Sequence, residues 1–259
     1  MAALAAGLRV VEHNALVYRR TWTGSILGTV LSPVLFLAAM GLGLGGYVNR
    51  AGDAALGGVD YLAFLGPGLL AAQAMQTAAF ETTWPIMGKI VWNKLYEAML
   101  ATPLAVPDLL AGELGWLTAR LTLVCGVFLA VLAAFGAIRS PLGLLALPVA
   151  VLTGLSFGAP IMAFSATQKR DSGFNVIFRF GVTPLFLLGG TFFPIERLPG
   201  LVQPLAWLTP LAHGVALCRA LTLGRLEPAD AVVHLAVLVG FVVAGVALAR
   251  LAFRRRLVV

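Results

Sequence analysis

The sequence predicts an all-α membrane protein: six transmembrane helices, an N-terminal amphipathic interfacial helix, a cytosolic helix between spans 2 and 3, and a re-entrant helical hairpin between spans 5 and 6. Of the 259 residues, 60% are hydrophobic and 11% are charged, whereas soluble domains average roughly 25% charged residues. The mean hydropathy is +0.95. Uncharged runs long enough to cross a bilayer alternate with short charged turns, so we expect a single transmembrane domain over residues 1–259.

The N-terminal part predicts a surface helix followed by the first span. Apolar residues recur at helical spacing through residues 1–20, with charges around the rest of the helix, as in helices that lie on a membrane. A plain solvated leader is the alternative. Charged residues continue to Arg20, so no cleavable signal peptide is expected. The first span is predicted over residues 22–45, followed by a polar outer loop around Arg50 and Asp53.

The middle of the chain predicts further spans and one cytosolic helix. Residues 84–103 are bounded by prolines and interrupted by charges, which indicates an amphipathic helix on the cytosolic side. The other predicted spans cover residues 61–82, 109–138, 141–166, 174–193 and 231–250.

The segment 194–226 is predicted to enter and leave the membrane on the outer side. Residues 198–218 carry no formal charge, which is long enough for a span. Interior prolines disfavour one continuous helix, so we expect two short helices. If this segment crossed, the basic residues 254–256 would move outside, against the usual inner bias of Lys and Arg. Both termini are therefore predicted to be cytoplasmic. The prolines are Pro199, Pro204 and Pro210.

Four ionisable residues are predicted within or next to the spans. Glu113 and Arg120 lie two turns apart on one helix face, so they are expected to pair directly or through neighbours. They either line a substrate path or form a structural pair at the inner interface, and Glu81 has the same two interpretations. His213 is either a catalytic base or part of a structural polar network.

No motif for nucleotide or metal binding is present. The Gly88–Lys89 pair lacks the flanking residues of a phosphate-binding loop. The two cysteines, Cys125 and Cys218, have no metal-ligand spacing and are expected to be apolar fillers. Three GxxxG spacings, one of them Gly154–Gly158, are about what chance gives for 29 glycines, so they argue little for helix pairing.

The segment from Gly190 to Arg219 resembles the permease subunit of type-2 ABC exporters. Residues 61–81, 94–104 and 112–120 further resemble the NodJ-like branch, the permeases of lipo-oligosaccharide or drug export, although Gly66 stands where that branch is expected to have Ala. The nine positions that agree with the family pattern are Gly190, Phe193, Pro194, Leu198, Pro199, Pro210, Leu211, His213 and Arg219.

This resemblance implies a non-catalytic transport subunit in the bacterial cytoplasmic membrane. Such a subunit exports an amphipathic substrate: a lipid, a glycolipid or lipo-oligosaccharide, or a drug. It pairs with a second permease, identical or related, and with two copies of an ATPase subunit that binds the ATP and Mg. No cofactor is expected in this chain, and no nucleic acid.

The resemblance also assigns roles to individual residues. Residues 84–103 become the coupling helix that meets the ATPase, and the first, second and fifth spans are expected to face the dimer centre. The coupling residues are Lys89, Lys94, Tyr96 and Glu97. The residues of the substrate path or outer gate are Phe192, Phe193 and Glu196.

Two other functions remain open from the sequence. One is a membrane-embedded enzyme that acts on lipid-linked intermediates and uses His213 with Glu196. The other is a membrane anchor for an ATPase without a transport path of its own.

Overall fold

The computed structural model describes residues 2–47 and 58–258, and every regular element in these ranges is helical. The predicted outer loop around Arg50 and Asp53 lies outside the described residues. The α-helices are α1 (Ala2–Leu37), α2 (Tyr61–Glu81), α3 (Trp84–Met87), α4 (Leu95–Leu100), α5 (Val106–Ala134), α6 (Ala146–Thr167), α7 (Ser172–Val176), α8 (Thr183–Leu188), α9 (Val202–Trp207), α10 (Pro210–Leu223) and α11 (Pro228–Leu257).

The predicted surface helix and first span form one continuous helix. No Gly or Pro lies between residues 8 and 23, so nothing breaks the helix where the surface helix was expected to end. α1 is followed by a π-helical turn at Ala38–Leu44. The N-terminal half packs on α5, because Gly7 and Gly112 let the two backbones approach closely. Val10 is buried in this contact, and Leu16 on another face is exposed.

Helix α2 forms the centre of the bundle and packs against α5, α6 and α10. Most of its residues are buried, and many are alanines that permit close approach of the neighbouring helices. Gly154 and Gly158 of α6 contribute to the same packing, since an added Cβ would press on Leu121 at 2.7 Å and on Leu117 at 2.5 Å. The low weight given to this GxxxG spacing from the sequence was therefore wrong.

Three of the described helical segments are long and apolar enough to cross a membrane: Val106–Ala134, Pro141–Thr167 and Pro228–Leu257. In the most apolar stretch of the last segment only 11% of residues are buried. Its exposed valines and leucines are favourable in contact with lipid. α2 is not among these three segments, because Gln73, Gln76 and Glu81 lower its mean hydropathy.

The predicted coupling helix 84–103 is two short helices and not one. α3 continues through a π-helical turn to Trp92, and the chain then reverses at Lys94, which adopts a left-handed conformation with φ 49° before α4 begins. Ile90 and Tyr96 are six positions apart and would face different sides of a straight helix. The break allows both side chains to be buried. We call the segment Trp84–Leu100 the elbow.

The helical segment at the position of the predicted fifth span ends earlier than predicted. It comprises α7, a π-helical segment Ile177–Val182 and α8, and it stops at Leu188 instead of residue 193. The chain then turns at Gly190, where φ is +79°, a value that glycine adopts without steric cost. Two short helices follow as expected, α9 and α10, and Pro210 opens the second of them. We call Val202–Leu223 the outer hairpin.

Candidate functional site

The polar residues of the bundle form two clusters at opposite ends of α2. Phe64, near the start of the helix, contacts one cluster, and Glu81, at its end, belongs to the other. These residues are 17 positions apart (81 − 64), about 25 Å along a helix. We call the cluster around Glu113 and Arg120 the inner cluster, and the cluster around Arg219 and His213 the outer cluster, after the sides of the membrane that the sequence predicts for them.

In the inner cluster, Lys89 of the elbow is bound to Glu113 of α5. The Lys89 Nζ lies 2.7 Å and 2.8 Å from the two carboxylate oxygens and donates to Asn14 Oδ1 of α1 at 2.9 Å. Asn14 Nδ2 in turn donates to Glu113 at 3.3 Å, and Glu113 is only 3% exposed. Lys89 is therefore directed into the bundle, and its predicted role in ATPase coupling stays a prediction.

Arg120 of α5 has a different partner from Glu113. Its Nε donates to Glu81 of α2 at 3.0 Å, and its guanidinium carbon lies 4.2 Å from the centre of the Tyr18 ring of α1, a cation–π geometry. Of the two predicted arrangements, the direct pairing of Glu113 with Arg120 does not occur. Seven positions separate them, about 10 Å along the helix. Each forms an ion pair with a residue of another element that lies beside it in the bundle.

The two buried pairs tie α1, α2, the elbow and α5 together. A buried pair costs several kcal/mol per ion in desolvation, and it is retained only where the geometry and further hydrogen bonds compensate. Asn14 and the Tyr18 ring supply these additional contacts. Lys89 thus connects the elbow to α5 and α1, and Arg120 connects α5 to α2 and α1.

The tip of the elbow is the part that faces solvent. Lys94 and Glu97 are exposed, and so is Trp92, with 60% of its surface accessible. Tyr96 is fully buried against Phe253 of α11, with ring centres 5.9 Å apart, so its side chain offers no surface to a partner and any role in coupling would be indirect. Burial and the nearby Glu113 carboxylate raise the pKa of Tyr96 well above its usual value.

In the outer cluster, Arg219 of α10 holds the turn after the fifth span against α2. Its Nε donates to the Phe64 carbonyl at 3.0 Å and its Nη2 to the Gly190 carbonyl at 2.8 Å. The guanidinium carbon lies 3.7 Å from the centre of the Phe64 ring. Among the described residues no carboxylate lies within ion-pair distance of Arg219.

His213 belongs to a structural network. Its Nε2 lies 2.8 Å from the Trp207 carbonyl, which can only accept, so this nitrogen carries the proton. Its Nδ1 lies 2.8 Å from Nδ1 of His234 on α11, which in the neutral pair must then donate. The Trp207 ring stacks on the His234 ring at 8°. Both ring nitrogens of His213 are engaged, which favours the network over the catalytic base.

The three predicted gate residues do not form one cluster. Phe192 packs between Phe36 of α1 and Phe186 of α8, with ring centres 6.5 Å and 5.1 Å away. Phe193 is 37% exposed. Glu196 faces a cavity that it shares with Arg219.

The sequence reasoning missed a polar face on α2. Gln73 and Gln76 line a cavity of about 260 Å³ whose other walls include Phe36 and Phe186, and Gln73 donates to Thr77 at 3.3 Å. Two glutamines within one predicted span were the available signal, because uncharged polar groups in a membrane require partners.

Comparisons with known proteins assign the chain to a family. Residues 8–223 match the model of the "ABC-2 type transporter" family. The chain is 35% identical to Nodulation protein J of Rhizobium leguminosarum bv. viciae, over 99% of this chain and 98% of that protein. Identity to Nodulation protein J of Sinorhizobium fredii is 34%, over 84% and 81%.

A more distant relative extends the comparison beyond the nodulation proteins. The chain is 25% identical to the inner membrane transport permease YadH of Escherichia coli, over 88% of this chain and 86% of that protein. The chain therefore belongs to the ABC-2 type transporter family and is a transport permease subunit.

Proposed function

We propose that this chain moves an amphipathic substrate, a lipid, a glycolipid or lipo-oligosaccharide, or a drug, outward across the bacterial cytoplasmic membrane. Family membership implies an ABC ATPase partner and a membrane location. In the proposed complex, two ATPase subunits bind ATP and Mg, and this chain pairs with a second permease, identical or related. The similarity to nodulation proteins over nearly the whole chain favours a glycolipid among these substrates.

The observation that carries the proposal is the connection between the elbow and the inner cluster. The elbow presents Trp92, Lys94 and Glu97 to solvent at its tip, while Lys89, a few residues earlier, is bound to Glu113 inside the bundle. A subunit that binds the tip therefore acts on a buried, charged junction. Because a buried pair tolerates little displacement, the movement is transmitted to α1 and α5.

We propose six spans with both termini cytoplasmic and the outer hairpin re-entrant. The exposed leucines of the hairpin region support contact with lipid or with a second permease, since water disfavours such a surface. A reporter fused after Arg256 is expected on the cytoplasmic side, and an external position would contradict this topology. The leucines are Leu201, Leu205 and Leu208.

The first, second and fifth spans supply the surface proposed for the second permease. Leu35, Phe180 and Leu187 are apolar and exposed, and the polar face of α2 with Gln73 lies nearby. Pairing two such surfaces would cover the apolar residues and enclose the glutamines in a path, which fits a substrate with one polar and one apolar part.

The test is a comparison of two charge reversals at exposed lysines. Affinity-tagged chain purified from its native membrane is expected to bring down an ATPase subunit and to hydrolyse ATP. Lys94→Glu at the elbow tip should weaken this association several-fold, because it reverses a charge at the proposed contact. Lys169→Glu, in the exposed turn after α6, is the matched control. Equal behaviour of both variants, or a chain that never retains an ATPase, would contradict the proposal.

No observation favours the membrane-embedded enzyme. His213 uses both ring nitrogens in contacts to Trp207 and His234. Glu196 is an exposed residue of the cavity that it shares with Arg219. Among the described residues no group of three or more metal-ligating side chains occurs. Turnover of a lipid-linked substrate by the purified chain alone, lost in His213→Ala, would restore that alternative.

A further inference from the structure

A cavity of about 370 Å³ lies between the outer hairpin and the start of α2. Its walls carry both charged and apolar side chains: Arg219, Arg225 and Glu196 on one hand, and Phe64, Ile195 and Val215 on the other. The lining thus includes the guanidinium of Arg219 close to apolar side chains. Neither the inner cluster nor the proposed ATPase contact uses this site.

The guanidinium of Arg219 is fixed in the cavity wall with donor capacity left over. The hydrogen bonds to the Phe64 and Gly190 carbonyls use Nε and Nη2, and within the described residues Nη1 forms no hydrogen bond. The Phe64 ring lies against the guanidinium and holds its plane. A ligand that binds here loses little free energy to ordering of the arginine, because the side chain is already immobilised.

Arginine donors in a fixed geometry are well suited to carboxylate and phosphate oxygens. The two carbonyls orient Arg219 but do not neutralise it. Glu196, the nearest candidate counter-ion on the cavity wall, forms no ion pair within the described residues. Arg219 therefore offers a charge-assisted donor to an incoming anion, because Glu196 does not form an ion pair with it.

We propose that this cavity binds the anionic head group, a carboxylate or a phosphate, of the amphipathic substrate on the outer side of the bundle. That the bound molecule is the exported substrate rests on the function proposed above, whereas the binding of an anionic head group in this cavity does not. A volume of about 370 Å³ is at the lower end for small-molecule sites, so it holds a head group and not a long chain. The exposed Leu205 of α9 and Leu208 directly after it lie close in sequence to Trp207 of the cavity wall, and they offer the apolar part of the molecule a surface.

Binding is tested with the full chain in a neutral detergent and three probes. Dihexanoyl phosphatidic acid is expected to raise the midpoint of thermal unfolding in a saturable manner, since a ligand that binds only the folded state stabilises it. Dihexanoyl phosphatidylcholine should give little shift. Inorganic phosphate should bind much more weakly than the phosphatidic acid, because it lacks the apolar part.

Four variants assign the effect to the cavity. Arg219→Gln should weaken phosphatidic acid binding by about tenfold or more, because it removes a charge-assisted donor. Ala216→Leu should weaken it by filling the cavity without a change in charge. Glu196→Gln should tighten it several-fold, an effect that misfolding cannot imitate. Arg197→Gln, an exposed residue outside the cavity lining, should leave the affinity unchanged.

Three results would overturn the proposal. They are equal shifts with phosphatidic acid and phosphatidylcholine, wild-type affinity in both Ala216→Leu and Glu196→Gln, and inorganic phosphate binding as tightly as phosphatidic acid. The last result would mean that the cavity takes a free anion. If Arg219→Gln does not fold, Ala216→Leu and Glu196→Gln decide the question. The assay contains no ATPase, so a failure of the export function would leave its result unaffected.

Discussion

At the inner end of the bundle, Lys89 and Arg120 each meet a carboxylate, whereas at the outer end Arg219 is held by two backbone carbonyls. The inner charges are neutralised in pairs and fix four elements to one another. The outer charge is positioned but not neutralised. Cations of one bundle therefore differ in their surroundings, and the two proposals follow this difference: transmission of a displacement is proposed at the inner cluster and binding of an anion at the outer cluster.

The largest expected effect tests the inner pairing. Glu113→Gln removes one charge of a buried pair and leaves Lys89 without a counter-ion, which costs about 3 kcal/mol. Thermal unfolding in mild detergent measures the loss. Glu97→Gln at the exposed elbow tip is the matched control and should change stability little. A Glu113→Gln variant as stable as this control would show that the inner pair does not hold the elements together.

A double variant sharpens the distinction between stability and transmission. Replacing both partners of a buried pair by uncharged side chains is often neutral for stability, so Lys89→Met combined with Glu113→Gln should recover most of the lost stability. If the pair couples the elbow to the bundle, transport should remain impaired in this double variant. Recovery of both properties would reduce the pair to a structural role.

A smaller effect is expected at the turn that Arg219 holds. Gly190→Ala places a Cβ at φ +79° and 2.9 Å from the Ile195 side chain, which we expect to cost about 2 kcal/mol. Gly200→Ala is the control, since nothing lies within 4 Å of the added Cβ there. Equal unfolding midpoints for the two variants would show that the turn is not constrained as described.

The smallest effect concerns the histidine pair of the outer cluster. His234→Phe keeps an aromatic ring for Trp207 to stack on but leaves Nδ1 of His213 without its hydrogen bond, at an expected cost of about 1 kcal/mol. The midpoint of thermal unfolding should fall accordingly. An unchanged midpoint would mean that the contact between α10 and α11 does not depend on this bond.

Several features of the clusters were predictable because they depend on local sequence. The prolines in the outer segment predicted two short helices, and Pro210 indeed begins the second. Glu81, Glu113, Arg120 and His213 stood out as polar residues in apolar surroundings. Their partners were not predictable, since Lys89 and Glu113 lie 24 positions apart and His213 and His234 lie 21 apart, on different helices.

The elbow shows where helical periodicity fails as a guide. Lys89, Lys94, Tyr96 and Glu97 were all assigned to ATPase coupling within one predicted amphipathic helix. The reversal at Lys94 separates them, so that Lys89 and Tyr96 face the bundle while Lys94 and Glu97 face solvent. A left-handed residue other than Gly or Asn gives no local signal, because only the burial of residues on both sides offsets its cost.

The sequence by itself determined the class of the protein, the approximate position of its apolar helices and its family. Hydrophobicity, proline position and charge distribution act over a few residues and can be read along the chain. The tertiary structure alone decided the partners of the buried charges, the cavity around Arg219 and the exposed tip of the elbow. Desolvation explains the difference: a buried charge requires a partner wherever the fold brings one near, and sequence distance does not reveal which.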